Sequence, residues 1–438
     1  MKAIAPQLEP IVSPSRICDW ENIDAIRQKR ILQALVPETP PSCIVYPNTQ
    51  AELAEVIACA HHNKWRVLPC GSGSKLSWGG LAAGVQVVVS TEHLNQVIQH
   101  AVGDLTVTVE AGTKFAAVQD ILASAGQFLA LDPAAPESAT MGGIVATADT
   151  GSLRQRYGGV RDQLLGITFV RADGQIAKAG GRVVKNVAGY DLMKLFTGSI
   201  GTLGIITQVT FRVYPLPEAS GTVVLTGKAD AISLASTTLR SSALTPNSAD
   251  LLSTRLVASL GIGQGLGLIT RFSSMTESVK EQSSRLLEVG QQLGLQGILY
   301  SAGDESDLWQ KLREQMGVST TEAVITCKIG VVPLGSVATL TQLDSVAPEQ
   351  GMGLIHAGSG LGSLRLETCA GMLETVLKMR SFCQEHGGFL SVLEAPITLK
   401  QQLDVWGYVG NAQDLMRGIK QQFDPESLLS PNRFVAGI

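Results

Sequence analysis

The chain has 438 residues, with 34 Lys and Arg against 38 Asp and Glu, so its formal net charge is −4. This balance gives no electrostatic footprint for nucleic acid or for an anionic membrane surface. Hydrophobic residues make up 45% of the chain and charged residues 16%, which excludes a disordered chain and predicts large buried cores in two or three domains. No apolar run reaches the roughly 18 residues that span a bilayer, so we expect no transmembrane segment.

The N-terminal residues and the cysteines indicate the compartment. Residues 1–6 carry one lysine but no apolar core, so a secretory signal is not expected. The seven cysteines are scattered and contain no CxxC pair, which disfavours a disulfide framework, a zinc site or an iron–sulfur cluster held by this chain alone. We therefore predict a reduced, cytoplasmic setting, in which any iron–sulfur chemistry would come from a partner.

The first half of the chain predicts an α–β mixture with glycine loops. Residues 1–39 alternate short helical signals with prolines and are predicted to form an N-terminal arm. Thr49–Glu52 is a capping box that begins a helix, because the apolar residues that follow recur at helical spacing. Further predicted elements are strands at Arg66–Pro69, Val85–Val89 and Leu105–Val109, a helix over Thr113–Ala125 and a strand at Gly166–Ala172.

The composition and the pattern of predicted elements change at Tyr214–Pro217. Beyond this point dense glycine loops disappear, and strands alternate with amphipathic helices, which indicates a separate α+β domain. Its predicted elements are strands at Thr222–Leu225 and Ala323–Val332 and helices at Asp230–Arg240, Ser278–Leu293 and Met372–His386. A last helix is predicted over Asp404–Phe423, followed by a tail that contains Pro and Asn.

The segment from residue 69 to 75 has the composition of a phosphate-binding loop. Glycines let a backbone turn its amides toward a concavity, serine hydroxyls add donors, and a lysine adds positive charge. Together they predict a cradle for a pyrophosphate, although the segment is neither a Walker A loop nor a GxGxxG fingerprint. A plain turn rich in glycine and serine is the alternative interpretation. The residues concerned are Pro69, Cys70, Gly71, Ser72, Gly73, Ser74 and Lys75.

Two further small-residue segments favour close approach of a ligand to the backbone. In residues 132–146, prolines stiffen the chain, hydroxyls offer donors, and paired glycines let a flat ligand lie against the main chain. The residues singled out there are Pro133, Pro136, Ser138, Thr140, Met141, Gly142, Gly143 and Ala146. The third element comprises Val184–Asp191 and then Gly198–Thr207, a glycine loop directly before a strand, with Gly204, Ile205 and Ile206 at that junction.

These three elements, in this order, resemble the FAD-binding domain of the vanillyl-alcohol oxidase and para-cresol methylhydroxylase (PCMH) flavoproteins. Within that group the likeness is to the flavin subunits of glycolate oxidase, the E-type flavin subunit in particular; it covers residues 40–217, with a looser match at Phe423–Pro425. The resemblance implies an α+β fold with a two-part PCMH-type FAD-binding domain over residues 40–217. It also implies an α+β cap domain over 218–395 and a C-terminal segment, 396–438, that returns to the FAD domain.

The resemblance also implies how FAD is held. Cys70–Lys75 would hold the pyrophosphate, the second segment would line the diphosphate, ribityl and flavin, and Gly204–Ile206 would support the dinucleotide through the main chain. Some relatives bond the flavin through a histidine in the pyrophosphate loop. This loop has none, so we predict non-covalent FAD. Cys70 is the one local nucleophile, and we expect it to be a packed side chain.

A catalytic motif of the family is only partly present in this chain. In related 2-hydroxy acid dehydrogenases a cap-domain motif of the form His-x-Gly-Asp-Gly-Asn-x-His looks like a metal and substrate site. Residues 356–363 match the first histidine and two glycines, but Ser359, Leu361 and Ser363 replace the acid, the asparagine and the second histidine. Hydroxyls and a leucine do not bind a divalent cation as carboxylate and imidazole do, so we predict no metal and an incomplete 2-hydroxy acid site.

The catalytic residues stay open, with Lys185, Arg156 and His356 as weak candidates. His356 is either a substrate-site histidine or a strand histidine satisfied by a neighbour. Lys185 would stabilise the reduced flavin or a substrate carboxylate, or else form a structural ion pair. Arg156, like Arg154 and Arg161, is either a substrate cation or a surface charge.

The leading hypothesis for function is an FAD-binding subunit of a glycolate or D-lactate oxidase (dehydrogenase) complex, which passes electrons from a 2-hydroxy acid through flavin to a partner. A homologous flavin subunit of the D type and an iron–sulfur subunit would complete the complex, and any attachment to the inner membrane would run through these partners. One alternative is a self-sufficient FAD-dependent oxidase of an alcohol or a sugar lactone. Another is an assembly subunit whose flavin site is vestigial.

Overall fold

The computed structural model describes residues 4–37, 39–182, 189–317, 324–369 and 371–438. The chain divides into two units. Unit 1 consists of Met1–Thr150, Gly159–Leu216 and Val409–Ile438, and unit 2 consists of Gly151–Gly158 and Pro217–Tyr408. The boundary at residue 217 lies beside the predicted one. Residues 151–158 and 396–408, which we assigned to the FAD domain and to the C-terminal segment, fall in unit 2 instead.

The N-terminal part of unit 1 is a small sheet with helices on both faces. Its elements are α1 (Ala5–Leu8), β1 (Ile17–Asp19), α2 (Ala25–Leu32), β2 (Cys43–Val45), α3 (Gln50–Asn63), β3 (Val67–Cys70) and β4 (Val87–Ser90). The strand order is β1-β2-β4-β3, in which β2, β4 and β3 run parallel and β1 is antiparallel to β2. The parallel strands are buried on both faces, which explains their continuous apolar sequences.

Residues 4–37 are part of this layer, whereas the alternation of short helical signals and prolines predicted an arm leading into the domain. Strand β1 pairs with β2, and Leu8 and Ile31 are fully buried. Arg27 on α2 donates to the Tyr46 hydroxyl at 2.6 Å and to the Glu92 carboxylate at 2.8 Å. The local signals for short helices were sound, but sequence could not show that their apolar residues pack on the sheet.

Helix α3 begins where the sequence predicts. Thr49 Oγ1 accepts from the amide of Glu52 at 3.1 Å, as expected of the capping residue. The Glu52 carboxylate accepts from the amide of Asn48 at 2.7 Å rather than from Thr49 itself, so the reciprocal half of the predicted box is displaced by one residue. The helix ends at Asn63, and its C-cap residue, Lys64, is left-handed with φ +59°. The predicted apolar face is buried against the sheet.

The second layer of unit 1 is an antiparallel sheet of order β5-β6-β10-β8-β9. Helices α4, α5 and α8 pack on it, and Val170 and Ile205 link its core to that of α3. A short pair, β7 and β11, lies beside it. The elements in this stretch are β5 (Val97–Ala101), β6 (Thr106–Glu110), α4 (Phe115–Ser124), β7 (Gln127–Phe128), α5 (Met141–Thr147), α6 (Arg154–Tyr157, in unit 2), α7 (Val160–Gln163), β8 (Leu164–Val170), β9 (Ile176–Gly180), α8 (Leu192–Phe196), β10 (Ile205–Arg212) and β11 (Tyr214–Pro215).

Unit 2 is built on one large antiparallel sheet of order β15-β12-β14-β13-β17-β18-β16-β19. Helices α9, α11, α13 and α14 bury their apolar stripes on one face, and α10 and α12 on the other. Its elements are β12 (Ala219–Gly227), α9 (Ala229–Ser241), β13 (Ser248–Leu252), α10 (Thr254–Leu260), β14 (Leu266–Ser274), α11 (Thr276–Gln292), β15 (Gln296–Tyr300), α12 (Ala302–Met316), β16 (Val324–Gly330), α13 (Ser336–Val346), β17 (Gly351–His356), β18 (Leu361–Glu367), α14 (Met372–Glu385), β19 (Phe389–Glu394) and α15 (Ile397–Lys400).

The last helix is shorter than the sequence predicted. Helix α16 spans Gln413–Phe423 rather than residues 404–423. Gly407 takes a left-handed φ of +55°, and the Asp404 carboxylate caps the amide of Trp406 in a turn, so the chain is not helical before Ala412. Helix α16 belongs to unit 1. Across the described ranges, no helix is long and apolar enough to cross a membrane.

Candidate functional site

One cavity in unit 1 brings together three segments that are far apart in sequence. Its empty volume is about 690 Å³, which includes open solvent. The loop after β3, the start of α5 and the turn before β10 form its walls, and the C-terminal tail adds one residue. Its lining consists of Pro69, Cys70, Gly71, Ser72, Gly73, Ser74, Lys75, Leu76, Thr91, Thr140, Gly142, Gly143, Ala146, Thr147, Ile200, Gly201, Gly204, Ile205, Ile206 and Arg433.

The loop after β3 lies directly against the start of α5. A Cβ at Gly71 would come within 2.1 Å of Thr140 Oγ1, so only glycine allows this approach. The Ser72 hydroxyl donates to the carbonyl of Ser138, which joins the loop to the second segment. Thr140 caps α5 and accepts from the amide of Gly143 at 3.4 Å. The first two predicted segments therefore form a continuous wall.

The third segment closes the other side of the cavity. Gly201 has a φ of +73°, and a Cβ there would lie 2.8 Å from Pro69 Cγ, so glycine is required both by backbone conformation and by contact. Ile205 and Ile206 begin β10, where pairing with the antiparallel strand β8 fixes the main chain. The turn and strand thus place main-chain groups and small side chains along the cavity.

Lys75 lines the cavity, and its charge is paired. Lys75 Nζ lies 2.7 Å from Asp149 Oδ2, and both side chains are buried. The same carboxylate oxygen accepts from the amide of Ala134 at 3.1 Å. Because Asp149 follows α5 and Ala134 precedes it, this ion pair ties the loop to both ends of the second segment. The lysine that we predicted as a pyrophosphate ligand has a carboxylate partner that the sequence did not reveal.

The C-terminal tail completes the wall with Arg433. Its side chain is buried, and one guanidinium nitrogen donates to the carbonyls of Leu76 (2.7 Å) and Trp78. The carbonyl of Arg433 in turn accepts from the amide of Gly80 at 3.0 Å. Burial lowers the pKa of the Arg433 guanidinium to about 10. The arginine therefore remains cationic at neutral pH and fastens the end of the chain to the loop region.

Cys70 is partly buried, lines the cavity and is poorly nucleophilic. Burial, with the nearby Glu92 carboxylate, raises the pKa of its thiol to about 12. A thiol with so high a pKa is protonated at neutral pH and does not attack a ligand. The cavity side of the loop otherwise offers glycines and serines.

The walls suit an elongated, flat dinucleotide. Glycine positions at which a Cβ would collide with the opposing wall leave main-chain amides close to the cavity, and hydroxyls of Ser72, Ser74 and Thr140 stand among them. Main-chain amides, hydroxyls and an arginine are the groups that bind phosphate oxygens in proteins. Apolar side chains at Leu76, Ile200 and Ile206 provide surface for a ring system.

Several predicted residues lie away from the cavity wall. Pro133, Pro136, Ser138 and Met141 do not line it; Met141 is buried in the core under the second sheet, and Ser138 contributes its carbonyl to Ser72. Lys185 lies outside the described residues. Arg156 is an exposed residue of α6 in unit 2.

His356 ends strand β17 in unit 2, with Nδ1 at 2.6 Å from Asp250 Oδ1 on the neighbouring strand. Both side chains are buried. In the described part of the chain, no group of three or more His, Cys, Asp and Glu is arranged to hold a metal ion. A role for His356, Arg156 or Lys185 in catalysis remains a prediction.

Sequence reasoning missed the cavity residues Leu76, Thr91, Thr147, Ile200, Gly201 and Arg433. Most of these are neighbours of predicted segments. Arg433 is different, because it lies more than 200 residues from the nearest of the three predicted cavity segments. The available signal was a single arginine in the tail after Pro431 and Asn432, which is indistinguishable from a surface charge until the fold is known.

The chain is similar in sequence to known flavin-binding domains and to subunits of glycolate oxidase. Residues 41–180 match the family model described as FAD binding domain. The chain is 24% identical over 428 residues to glycolate oxidase subunit GlcD of Bacillus subtilis (strain 168), covering 91% of this chain and 90% of the relative. It is 36% identical over 169 residues to glycolate oxidase subunit GlcE of Escherichia coli (strain K12), covering 38% of this chain and 48% of the relative.

Among solved structures, p-cresol methylhydroxylase with substrate bound aligns with a TM-score of 0.78 at 15% identity, covering 98% of this chain and 96% of that one. The predicted α+β, PCMH-type fold is therefore confirmed. Residues 41–180 are an FAD-binding domain, FAD is the cofactor, and the chain is an FAD-dependent oxidoreductase. A specific correspondence to the E-type flavin subunit and the non-covalent attachment of FAD remain predictions.

Proposed function

We propose that this chain is an FAD-binding subunit of a glycolate or D-lactate oxidase (dehydrogenase) complex, in which electrons from the 2-hydroxy acid pass through flavin to a partner subunit. The observation that carries the proposal is the cavity in unit 1, where three glycine-bearing segments converge. Two of these segments lie within the residues that match an FAD-binding domain. Two of the similar proteins are named as subunits of glycolate oxidase, which supports both the substrate class and the assembly.

The reaction removes two electrons and two protons from the substrate. A hydride leaves the carbinol carbon, the hydroxyl releases a proton, and the product is a 2-oxo acid. FAD, when bound, supplies the two-electron acceptor. The residues of the cavity would hold its diphosphate through the loop after β3, keep the ribityl chain against α5, and exclude water with Leu76, Ile200 and Ile206.

We propose that FAD is held without a covalent bond. The loop after β3 contains no histidine, and its cysteine has a thiol pKa raised to about 12. Acid precipitation of the yellow holoprotein should therefore leave the pellet colourless and release all flavin absorbance into the supernatant. Flavin that stays in the washed pellet would contradict non-covalent binding without affecting the assignment of FAD.

The proposed partners are a homologous flavin subunit and an iron–sulfur subunit. All seven cysteines of this chain are free and scattered, so the chain offers no ready cluster of thiolate ligands for onward electron transfer. The altered motif at residues 356–363, with serine and leucine at the positions of the acid and the asparagine, is the second support for an incomplete site. The free thiols fit a reduced, cytoplasmic location, which is part of the same proposal.

The direct test compares the purified chain with the complex isolated from native cells. Under anaerobic conditions, glycolate or D-lactate should bleach the flavin of the complex, and an artificial dye should restore it. The isolated chain should bind FAD but turn over slowly or not at all with the same dye. Full turnover by the isolated chain would overturn the subunit role, and bleaching by a sugar lactone or another alcohol alone would overturn the substrate class.

The vestigial-site alternative makes the opposite prediction for cofactor binding. An FAD-binding chain should gain about 2.7 kcal/mol of stability at a free FAD concentration one hundred times the Kd. Differential scanning calorimetry with and without FAD measures this gain. No FAD-dependent rise in Tm, together with no flavin absorbance in the purified protein, would replace the proposal with an assembly role.

A further inference from the structure

We propose that Arg27, on helix α2, supports binding of the FAD diphosphate by balancing the charge of Glu92, a carboxylate beside the cavity wall. The inference rests on the proposed function, in which the loop after β3 holds the diphosphate, and goes beyond it. Arg27 acts through Glu92 and is therefore a positioning residue that does not itself touch the cofactor. The N-terminal helix thus acquires a part in holding FAD.

The carboxyl ends of three parallel strands place Glu92 next to the expected diphosphate site. Strands β2, β4 and β3 run parallel, so the residues that follow them lie at one edge of the sheet. Those residues include Tyr46, Thr91, Glu92 and Gly71. Thr91 and Gly71 line the cavity. The amide and the hydroxyl of Thr91 both donate to the carbonyl of Cys70, at 2.8 and 3.2 Å, which fixes the strand end to the loop.

The negative charge of Glu92 lies close enough to affect the cavity wall. Its carboxylate accepts from Ser90 Oγ at 3.2 Å, and the same hydroxyl lies 3.4 Å from the carbonyl oxygen of Gly71 in the loop. After burial, the Glu92 charge is the next largest cause of the raised pKa of the Cys70 thiol, which lines the cavity. An unbalanced carboxylate at this position would repel an anionic diphosphate held by the loop.

Arg27 supplies the balancing positive charge. Its Nη1 donates to Glu92 Oε2 at 2.8 Å and to the Tyr46 hydroxyl at 2.6 Å, and its Nη2 lies 3.5 Å from Glu92 Oε1. Burial lowers the pKa of the Arg27 guanidinium, but the charge of Glu92 and the contact with Tyr46 outweigh burial, so the pKa is raised overall. The guanidinium is therefore cationic at neutral pH, and it neutralises Glu92.

The other groups around Arg27 leave this pairing in place. Burial raises the pKa of the Tyr46 phenol to about 12, although Arg27 lowers it, so the phenol is neutral at pH 7. Asp24 Oδ2 lies 3.8 Å from Arg27 Nε, but the Asp24 side chain is 65% exposed and its charge is screened by water. The Glu92 side chain is only 24% exposed, so its charge depends more on Arg27 for compensation.

The test measures the Kd of the full-length apoprotein for FAD and for riboflavin, which shares the flavin ring but lacks phosphate. Arg27→Met should raise the Kd for FAD about 5- to 30-fold, the effect of one unbalanced charge near a protein surface, and leave the Kd for riboflavin unchanged. Glu92→Gln should bind FAD at least as tightly as the wild type, because it removes the repelling charge. The double variant Arg27→Met/Glu92→Gln should recover most of the FAD affinity.

Two controls separate the charge effect from damage to the fold. Arg30→Met changes an exposed arginine on the same helix and should alter neither Kd. The ratio of the FAD Kd of Arg27→Met to that of the wild type should fall at about 1 M salt, where the Debye length is about 3 Å. A loss of affinity caused by misfolding would not be reversed by salt or by removal of a second charged group.

Equal losses of FAD and riboflavin affinity in Arg27→Met would overturn the inference, because they would show general damage to the cavity. An unchanged FAD affinity in Arg27→Met, or one that stays low in the double variant, would overturn it as well. If Arg27→Met does not fold, Glu92→Gln still decides, since weaker FAD binding by this variant would show that the carboxylate assists the cofactor. A wild-type chain that binds no FAD would instead refute the proposed function.

Discussion

Lys75 and Arg433 both line the cavity, and their surroundings differ. Lys75 sits in the glycine–serine loop, where Asp149 balances its charge. Arg433 comes from the far end of the chain and donates to carbonyls of residues that follow that loop. A buried lysine–carboxylate pair holds segments together, since each charge needs the other once both leave water. The Arg433 guanidinium instead ties the C-terminal tail to the residues that follow the loop.

The largest loss of stability should come from disrupting the ion pair between Lys75 and Asp149. Asp149→Ala would leave the buried Lys75 ammonium and the amide of Ala134 without their acceptor. Removing one partner of a buried pair destabilises proteins by about 3–5 kcal/mol. Urea unfolding of the apoprotein measures this loss in the free energy of unfolding.

A surface pair provides the control for Asp149→Ala. Asp191 lies 3.1 Å from Lys194, with both side chains nearly half exposed, so Asp191→Ala should change stability by about 0–1 kcal/mol. The double variant Lys75→Met/Asp149→Leu should recover most of the loss, because a buried pair replaced by apolar residues is often close to neutral. Equal stability losses in Asp149→Ala and Asp191→Ala would show that the Lys75 pair is not a structural tie.

Two glycine substitutions test separately the contact of the loop after β3 with α5 and the contact of Gly80 with the C-terminal tail. In Gly71→Ala the new methyl group would stand 2.1 Å from Thr140 Oγ1, and in Gly80→Ala it would stand 2.7 Å from the carbonyl oxygen of Asn432. Overpacking of this kind destabilises by about 1–3 kcal/mol. Gly71→Ala should displace the loop from α5, whereas Gly80→Ala should displace the tail and speed its hydrogen exchange.

Gly103→Ala is the matched control for both glycine variants, since no atom lies within 4 Å of a Cβ there. Thermal unfolding and hydrogen exchange of all three proteins give the comparison. If Gly80→Ala left exchange between residues 424 and 438 as slow as in the wild type, the tail would not depend on its contact with Gly80.

The smallest expected effect is the pH dependence contributed by Cys70. Burial raises the pKa of this thiol from 9.0 to about 12, so above pH 9 the unfolded chain releases a proton that the folded chain retains. The unfolded state then binds fewer protons, and stability falls as pH rises. At pH 10 this thiol should lower the free energy of unfolding of the apoprotein by about 1.4 kcal/mol relative to pH 7.

Cys70→Ala isolates this contribution. Cys43, Cys327 and Cys383 also have thiol pKa values raised to about 12 by burial, so the wild type should lose stability between pH 7 and 10 more steeply than the variant, but both should lose some. Denaturant unfolding at the two pH values measures the difference. Identical slopes for wild type and Cys70→Ala would show that the pKa of the Cys70 thiol is not raised by its surroundings.

Local sequence signals predicted the elements well where capping and periodicity agree. The Thr49 cap and the apolar face that follows it are present in α3, and the predicted helix over residues 278–293 is found as Thr276–Gln292. The signals failed where glycine and turn geometry outweighed helical composition, as between Asp404 and Ala412. For residues 4–37 they predicted short helices, which are present, but not that this stretch packs against β2.

The sequence by itself determined which short segments come close together around the cavity, because glycines, hydroxyls and prolines have local conformational consequences that do not depend on distant residues. Gly71 and Gly204 were found in this way, and both line the cavity. Only the tertiary structure decided which charges face the cavity. The Lys75–Asp149 pair joins residues 74 positions apart, and Arg433 meets Leu76 across 357 positions. Which residue pairs with a buried charge depends on the tertiary fold, because the two partners are far apart in sequence. No local sequence pattern specifies such a pairing.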